Sequence, residues 1–269
     1  MQRLTWLELL KAPSSLSMTG LLAFMERWTP GSTQGFEPAT PSQIAALAQP
    51  HGGLDTLPRV YREFLATMGK SIGGLRLKFG TTSILALLEE LEDHQRERPD
   101  PRRYLKFTIG EDDDNGRHPD DFFDLARSTL DGRDAAIIRI HEEDLVSGKG
   151  AAEQPFRTFS DLLRAMIVVR VSLKDTPEQR TPYYSLGPNP EAPAKAYEFF
   201  TRLGFSLTEL GASSTVVPLE HPERGAIVLI KAPTTSVSST GVRLRARDKG
   251  QQLLLEEIID DHRQELRGD

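Results

Sequence analysis

The sequence predicts an α+β protein, and three observations carry that expectation. Several segments repeat apolar residues at three- and four-residue steps, the period of a helix lying on a core. Other segments are short apolar or alternating runs bounded by Gly, Pro and Asp, the pattern of strands. A polar, proline-rich stretch near 174–193 then divides the chain into two parts.

The elements follow in order. Residues 1–29 read as helix, with Met18, Leu21, Leu22, Met25 and Trp28 on one face and Thr29-Pro30-Gly31-Ser32 as its end. Thr40 before Pro41 is a helix start, since Pro at the first helical position gives up no hydrogen bond. Ile44, Leu47 and Ala48 supply that helix's buried side. The next helix begins at Leu57-Pro58, carries Tyr61, Phe64, Leu65 and Met68 as a stripe, and stops at Gly69. Leu75, Leu77 and Phe79 alternate and predict a strand. Residues 83–98 read as helix with Ile84, Leu87, Leu88 and Leu91 inward. Residues 104–109 and 135–140 read as strands, separated by the polar turn Gly110 to Gly116. A helix begins at Thr158 or Ser160 and places Phe159, Leu162, Leu163, Met166 and Ile167 on one face. Beyond the boundary come a helix at 194–203, short strands at 205–209, 214–219, 226–231 and 242–246, and a closing helix at about 249–265.

Composition narrows the function. The 269 residues carry 33 Lys and Arg against 39 Asp and Glu, a net charge of −6. Nucleic-acid binding rests on phosphate neutralisation by cations, so this balance predicts no nucleic-acid partner. No apolar run approaches the ~18 residues of a membrane span. Glu8 and Lys11 interrupt the apolar N-terminal stretch, unlike a secretory signal. Cys is absent, which removes disulfides, thiolate metal sites and a cysteine nucleophile. The expectation is a cytoplasmic protein without a cofactor.

Motifs of catalysis are not assembled. Gly69-Lys70-Ser71 resembles the end of a phosphate loop, but the glycine required five positions before Gly69 is Phe64. A calcium loop built on Gly116 would start at Glu111 and end at Phe122, where an Asp and a bidentate Glu are required. The histidines, His51, His94, His118, His141, His221 and His262, are scattered; His118 lies near Asp120 and Asp121, and His141-Glu142-Glu143 lacks the second His of a zinc-binding helix. No Gly-x-Ser-x-Gly elbow or dinucleotide fingerprint is present. The sequence therefore predicts no catalytic and no metal-binding residues.

One feature stands out. Between Glu89 and Asp124 there are thirteen Asp or Glu and six Lys or Arg, so this stretch alone carries the net negative charge of the chain. A solvated face is the simpler account; a surface that steers a basic partner is the functional one.

Residues 40–167 have an order of motifs that resembles a known family. It runs Pro41-x-x-Ile44, then Leu57-Pro58-x-x-Tyr61-x-x-Phe64-Leu65-x-x-Met68-Gly69. Tyr104-Leu105-x-Phe107-x-Ile109-Gly110, Phe122-Phe123-Asp124-Leu125, Ala135-Ala136-Ile137 and Phe159-x-x-Leu162-Leu163 follow. This resembles the SUKH superfamily, whose bacterial members are mostly immunity proteins of polymorphic toxin systems. The resemblance implies helices packed on a mixed sheet; with an N-terminal helical extension that lies outside the family pattern, the domain is expected to span 1–174. It also implies a non-catalytic protein that neutralises a toxin domain, such as a nuclease or deaminase, by occluding its active site. An acidic face would imitate the substrate of a nuclease, so Glu111, Asp112, Asp113, Asp114, Asp120 and Asp121 are the expected contacts to a basic partner. A cytosolic scaffold or regulatory module is the alternative.

Residues 182–269 are expected to form a smaller α/β domain. Tyr183-Tyr184-Ser185 followed by Ala194-x-x-Tyr197-x-Phe199-Phe200-x-x-Leu203-Gly204-Phe205 is similar to half of a glyoxalase-type β-α-β-β-β module. The strands that hold a metal in such modules offer Tyr183, Tyr184, Ser185 and 226–231 here, so no metal site is implied. A cryptic enzyme in this part would place its ligand near Tyr183, Tyr184 and Glu220.

Overall fold

The computed structural model describes residues 5–11, 16–75, 80–93, 98–113, 116–171 and 182–267. The first half contains α1 (Trp6–Lys11), α2 (Met18–Trp28), β1 (Phe36–Glu37), α3 (Pro41–Ala48), α4 (Arg59–Met68), β2 (Ser71–Ile72), β3 (Gly80–Thr81) and α5 (Ile84–Glu92). Then come β4 (Tyr104–Gly110), β5 (Asp112–Asp113), β6 (Gly116–Arg117), β7 (Asp120–Ser128), β8 (Ala135–Ile140), α6 (Glu142–Ser147) and α7 (Phe159–Val171). The remainder is β9 (Tyr183–Ser185), α8 (Ala192–Arg202), β10 (Ser206–Leu207), β11 (Val216–His221), β12 (Ala226–Lys231), β13 (Gly241–Ala246), α9 (Lys249–Asp261) and α10 (Arg263–Arg267). The class is α+β. Among the described residues no helix is long and apolar enough to cross a membrane.

The chain forms two compact units: a central unit, Gly31–Ser160, and a split unit made of Met1–Pro30 with Asp161–Asp269. This differs from the expected division into 1–174 and 182–269. The N-terminal helices join the C-terminal half because their apolar residues are used there: Leu9 is part of that core, and Trp6 packs against Tyr197 at 6.0 Å. Most of α7 joins it too. Arg164 is 1% exposed and donates from Nε to the Leu210 carbonyl at 3.0 Å. Its neighbour Asp161 accepts from the Thr215 hydroxyl at 2.6 Å.

In the central unit α3 starts as the sequence requires. Thr40 and Gln43 cap each other's backbone, and Pro41 fills the first turn. Gly69 ends α4, with right-handed φ; there a Cβ would lie 2.6 Å from the Leu65 carbonyl oxygen. The sheet has the order β3-β4-β7-β8. All its pairings are antiparallel, not mixed as expected. Its strands neighbour one another in sequence order, so no crossover helix arises to make a parallel pair.

Both faces of this sheet are covered. Tyr61 and Phe64 of α4, Phe107, Phe123 and Phe159 form one aromatic cluster with ring centroids 4.6–6.3 Å apart. Such edge and tilted pairs add to the burial term. Phe122, Ile138 and Ile140 form a second cluster, with Tyr104 and Leu145 against it. Burial on both faces removes the period-two pattern, and β7 opens on Asp120-Asp121, so its own residues do not predict a strand where the uniformly apolar β8 does.

The split unit carries an antiparallel sheet in the order β10-β11-β12-β13-β9. Its core includes Tyr197, Phe199 and Phe200 of α8 and Leu255 and Ile259 of α9. The strand-helix-strand-strand-strand order foreseen for 182–231 is present, and β13 enters the sheet between β12 and β9. The single helix foreseen over 1–29 is two, α1 and α2, and residues 12–15 lie outside the described residues, as do 76–79 of the strand foreseen at 75–79. Residues 94–97, in the helix foreseen over 83–98, also lie outside them, as do 174–181 of the proline-rich boundary.

Candidate functional site

The site is a cleft in the central unit with a cavity volume of about 120 Å³. Its apolar wall comes from Leu47 of α3, Leu87 and Leu91 of α5, and Tyr104 and Phe122 of the sheet, with Pro50, Pro99 and Pro101 beside them. Its polar groups are His51, Glu90, Arg98, Lys106 and Glu142. Pairing of Lys106 with Phe122 in the β4–β7 register puts both side chains on one sheet face, so the ammonium lies 5.4 Å from the Phe122 ring.

Lys106 is the centre of the charge. Its side chain is 11% exposed, and Nζ meets Glu142 at 2.7 Å, Glu90 at 3.0 Å and Asp120 at 3.2 Å. These carboxylates come from α6, α5 and β7. An ammonium has three hydrogens and each faces a carboxylate, so its geometry is that of a tie and not of a free nucleophile. Asp120 is anchored further, its Oδ1 accepting from the Gly110 N–H at 2.8 Å. Gly110 must lack a side chain, because a Cβ would fall 1.9 Å from the His118 carbonyl oxygen. Arg98 donates to the backbone carbonyls of Glu90 and Asp93 at 2.6 and 2.8 Å. The three carboxylates around Lys106 stand against two cations, Lys106 and Arg98, so the cluster carries a net charge of about −1.

His51 Nδ1 lies 2.5 Å from the Pro101 carbonyl oxygen. A carbonyl only accepts, so Nδ1 carries the hydrogen and Nε2 keeps the lone pair in the neutral ring. Burial lowers the His51 pKa and outweighs the opposing effect of that hydrogen bond.

Of the six expected contact residues, the structure describes the exposure of Glu111, Asp120 and Asp121. Glu111 is exposed. Asp112 and Asp113 form β5, paired through the backbone with Arg117 and Gly116. Asp114 lies outside the described residues. Asp120 and Asp121 are 1% and 5% exposed, and both are already matched by cations, which withdraws them from any exposed acidic surface. Asp121 accepts from Arg139 Nε at 2.8 Å and from a terminal guanidinium nitrogen at 3.0 Å. Burial nonetheless raises its pKa, because desolvation outweighs the Arg139 contact.

Sequence reading missed Lys106, Glu90, Glu142 and His51. Its one available signal was a lysine inside an otherwise apolar strand. Tyr183, Tyr184 and Glu220 are not brought together: β9 and β11 are three strand spacings apart, about 14 Å. Glu220 instead meets Arg27 at 2.8 Å and accepts from Trp28 Nε1 at 3.2 Å. Burial, aided by Glu256 and Asp260, pushes the Tyr184 hydroxyl up to about 12. Among the described residues no group of three His, Asp or Glu is arranged to hold a metal ion.

No family model, no curated protein and no solved structure matches this chain.

Proposed function

We propose that the chain is a non-catalytic immunity protein that binds a basic toxin domain, of nuclease or deaminase type, and occludes its active site. The observation that carries the reading is the cleft, whose apolar wall is bordered by the carboxylates of Glu90 and Glu142 beside Lys106. A Lys or Arg side chain from a partner has the matching form, an aliphatic stem and a cationic head. Glu89 and Glu92 on α5 and Glu143 on α6 are exposed on the helices that supply Glu90 and Glu142. The docking face is thus centred on α5 and α6, with Glu111 as an outlying contact. The motif order of residues 40–167 supports the immunity role, which is exercised in the cytoplasm.

The test captures partners from the host lysate at low and high salt, using the wild type and the charge reversal Glu89→Lys/Glu143→Lys. The reading expects one basic domain, released by salt, at least ~10-fold weaker with the variant, as lost rim charge acts on association. That domain must be toxic when expressed alone and harmless when co-expressed with this chain. Capture of non-toxic proteins would instead favour a scaffold or regulatory module. Turnover of a small molecule by the purified chain would favour an enzyme with its site in the split unit.

A further inference from the structure

We propose that a second cleft, in the split unit between the β9–α8 turn and α10, binds a phosphate monoester group. The cleft is open, with a volume of about 540 Å³, and Gly187, Asn189, Arg263 and Arg267 are among its lining residues. Arg263 and Arg267 stand four positions apart on α10, one helical turn, so their guanidinium groups share a side. Arg267 Nε is buried and has no hydrogen-bond partner. The charge of Arg267 is thus not offset by a hydrogen bond at Nε, and an anion in the cleft its side chain lines would be held by charge-assisted contacts to the guanidinium. Among the described residues neither arginine has a carboxylate partner, although Arg202 and Glu265 of the same region pair with each other.

The walls are fixed in place. Leu186 N–H donates to the Thr240 carbonyl at 2.9 Å, and Thr240 N–H donates back to Gly187 at 3.0 Å. Asn189 Nδ2 donates to the Arg267 carbonyl at 2.9 Å, while Asn189 Oδ1 accepts from Glu191 N–H at 2.9 Å. The turn is therefore tied to both Thr240, just before β13, and α10 before any ligand arrives, which lowers the ordering cost of binding. Two guanidinium groups offer more donors and charge than one carboxylate can use. A phosphate monoester, with three terminal oxygens and nearly two charges at pH 7, matches them.

The test titrates the full chain with methyl phosphate, inorganic phosphate and acetate at matched ionic strength, following backbone amide shifts. The expected result is saturable shifts at residues 185–189 and 263–267, with methyl phosphate bound at least ~10-fold tighter than acetate. Arg267→Gln and Arg263→Gln should each weaken methyl phosphate binding by about 10-fold or more. Arg263 is exposed, so Arg263→Gln keeps the test valid if Arg267→Gln fails to fold. No saturation up to about 20 mM, equal binding of acetate, or undiminished binding by Arg263→Gln would each overturn the proposal. Saturable binding of inorganic phosphate with none of methyl phosphate would also overturn it, since the site would then hold a free ion only.

Discussion

Replacing Lys106 by Met tests the charge design of the cleft. The substitution keeps the stem length and removes one charge. Three carboxylates would remain around the vacated position, now 2.7, 3.0 and 3.2 Å from no cation. At an effective dielectric of about 20, each contact near 3 Å has a gross attraction of roughly 5–6 kcal/mol. Desolvation of four charged groups and repulsion among the carboxylates cancel most of that sum. The net loss expected for removing one partner of a buried ionic cluster is about 3–5 kcal/mol. Urea unfolding followed by far-UV circular dichroism, with amide exchange in β4 and β7, measures it. Both tryptophans, Trp6 and Trp28, belong to the split unit, so their fluorescence serves as an internal control. A loss under about 1 kcal/mol at pH 7 would refute the reasoning, since removal of a buried counter-charge must be felt.

Three further outcomes are expected. Tyr61 is fully buried, and its hydroxyl has no hydrogen-bond partner; Tyr61→Phe should therefore stabilise the central unit by about 1–2 kcal/mol in urea unfolding, and destabilisation would imply a partner for the hydroxyl. His51 has a lowered pKa in the fold, so the unfolded chain takes up its proton first. Stability should fall as the pH drops below about 6.5 toward the folded value, and His51→Gln should flatten that part of the stability–pH curve. Arg164→Met should cost the split unit about 3–5 kcal/mol, read by tryptophan fluorescence, because Asp161 is buried and loses its cation at 3.3 Å.

Local chemistry determined much of the secondary structure. The Thr40-Pro41 start, the Tyr61/Phe64/Leu65/Met68 stripe and the helix of the Phe199-Phe200 segment depend on neighbours within a few positions, and each is found where the residues put it. Short apolar runs bounded by turn residues were legible for the same reason, β8 and β12 among them. The sequence alone also determined the excess of acid between Glu89 and Asp124. Its disposition was not legible. Asp120 and Asp121 look like part of a solvated run, but a sheet covered on both faces draws them inside. Arg164 falls on what a helical wheel treats as the polar side of α7, yet it is buried beneath the Leu210 carbonyl. The allocation of the N-terminal helices to the C-terminal half had no local signal either. Lys106 shows the physical reason most plainly. Its partners Glu90 and Glu142 are 16 and 36 positions away in sequence, on two different helices. Periodicity reports which face a residue occupies; only the packing of distant elements decides which charges meet there and which are shut away from water.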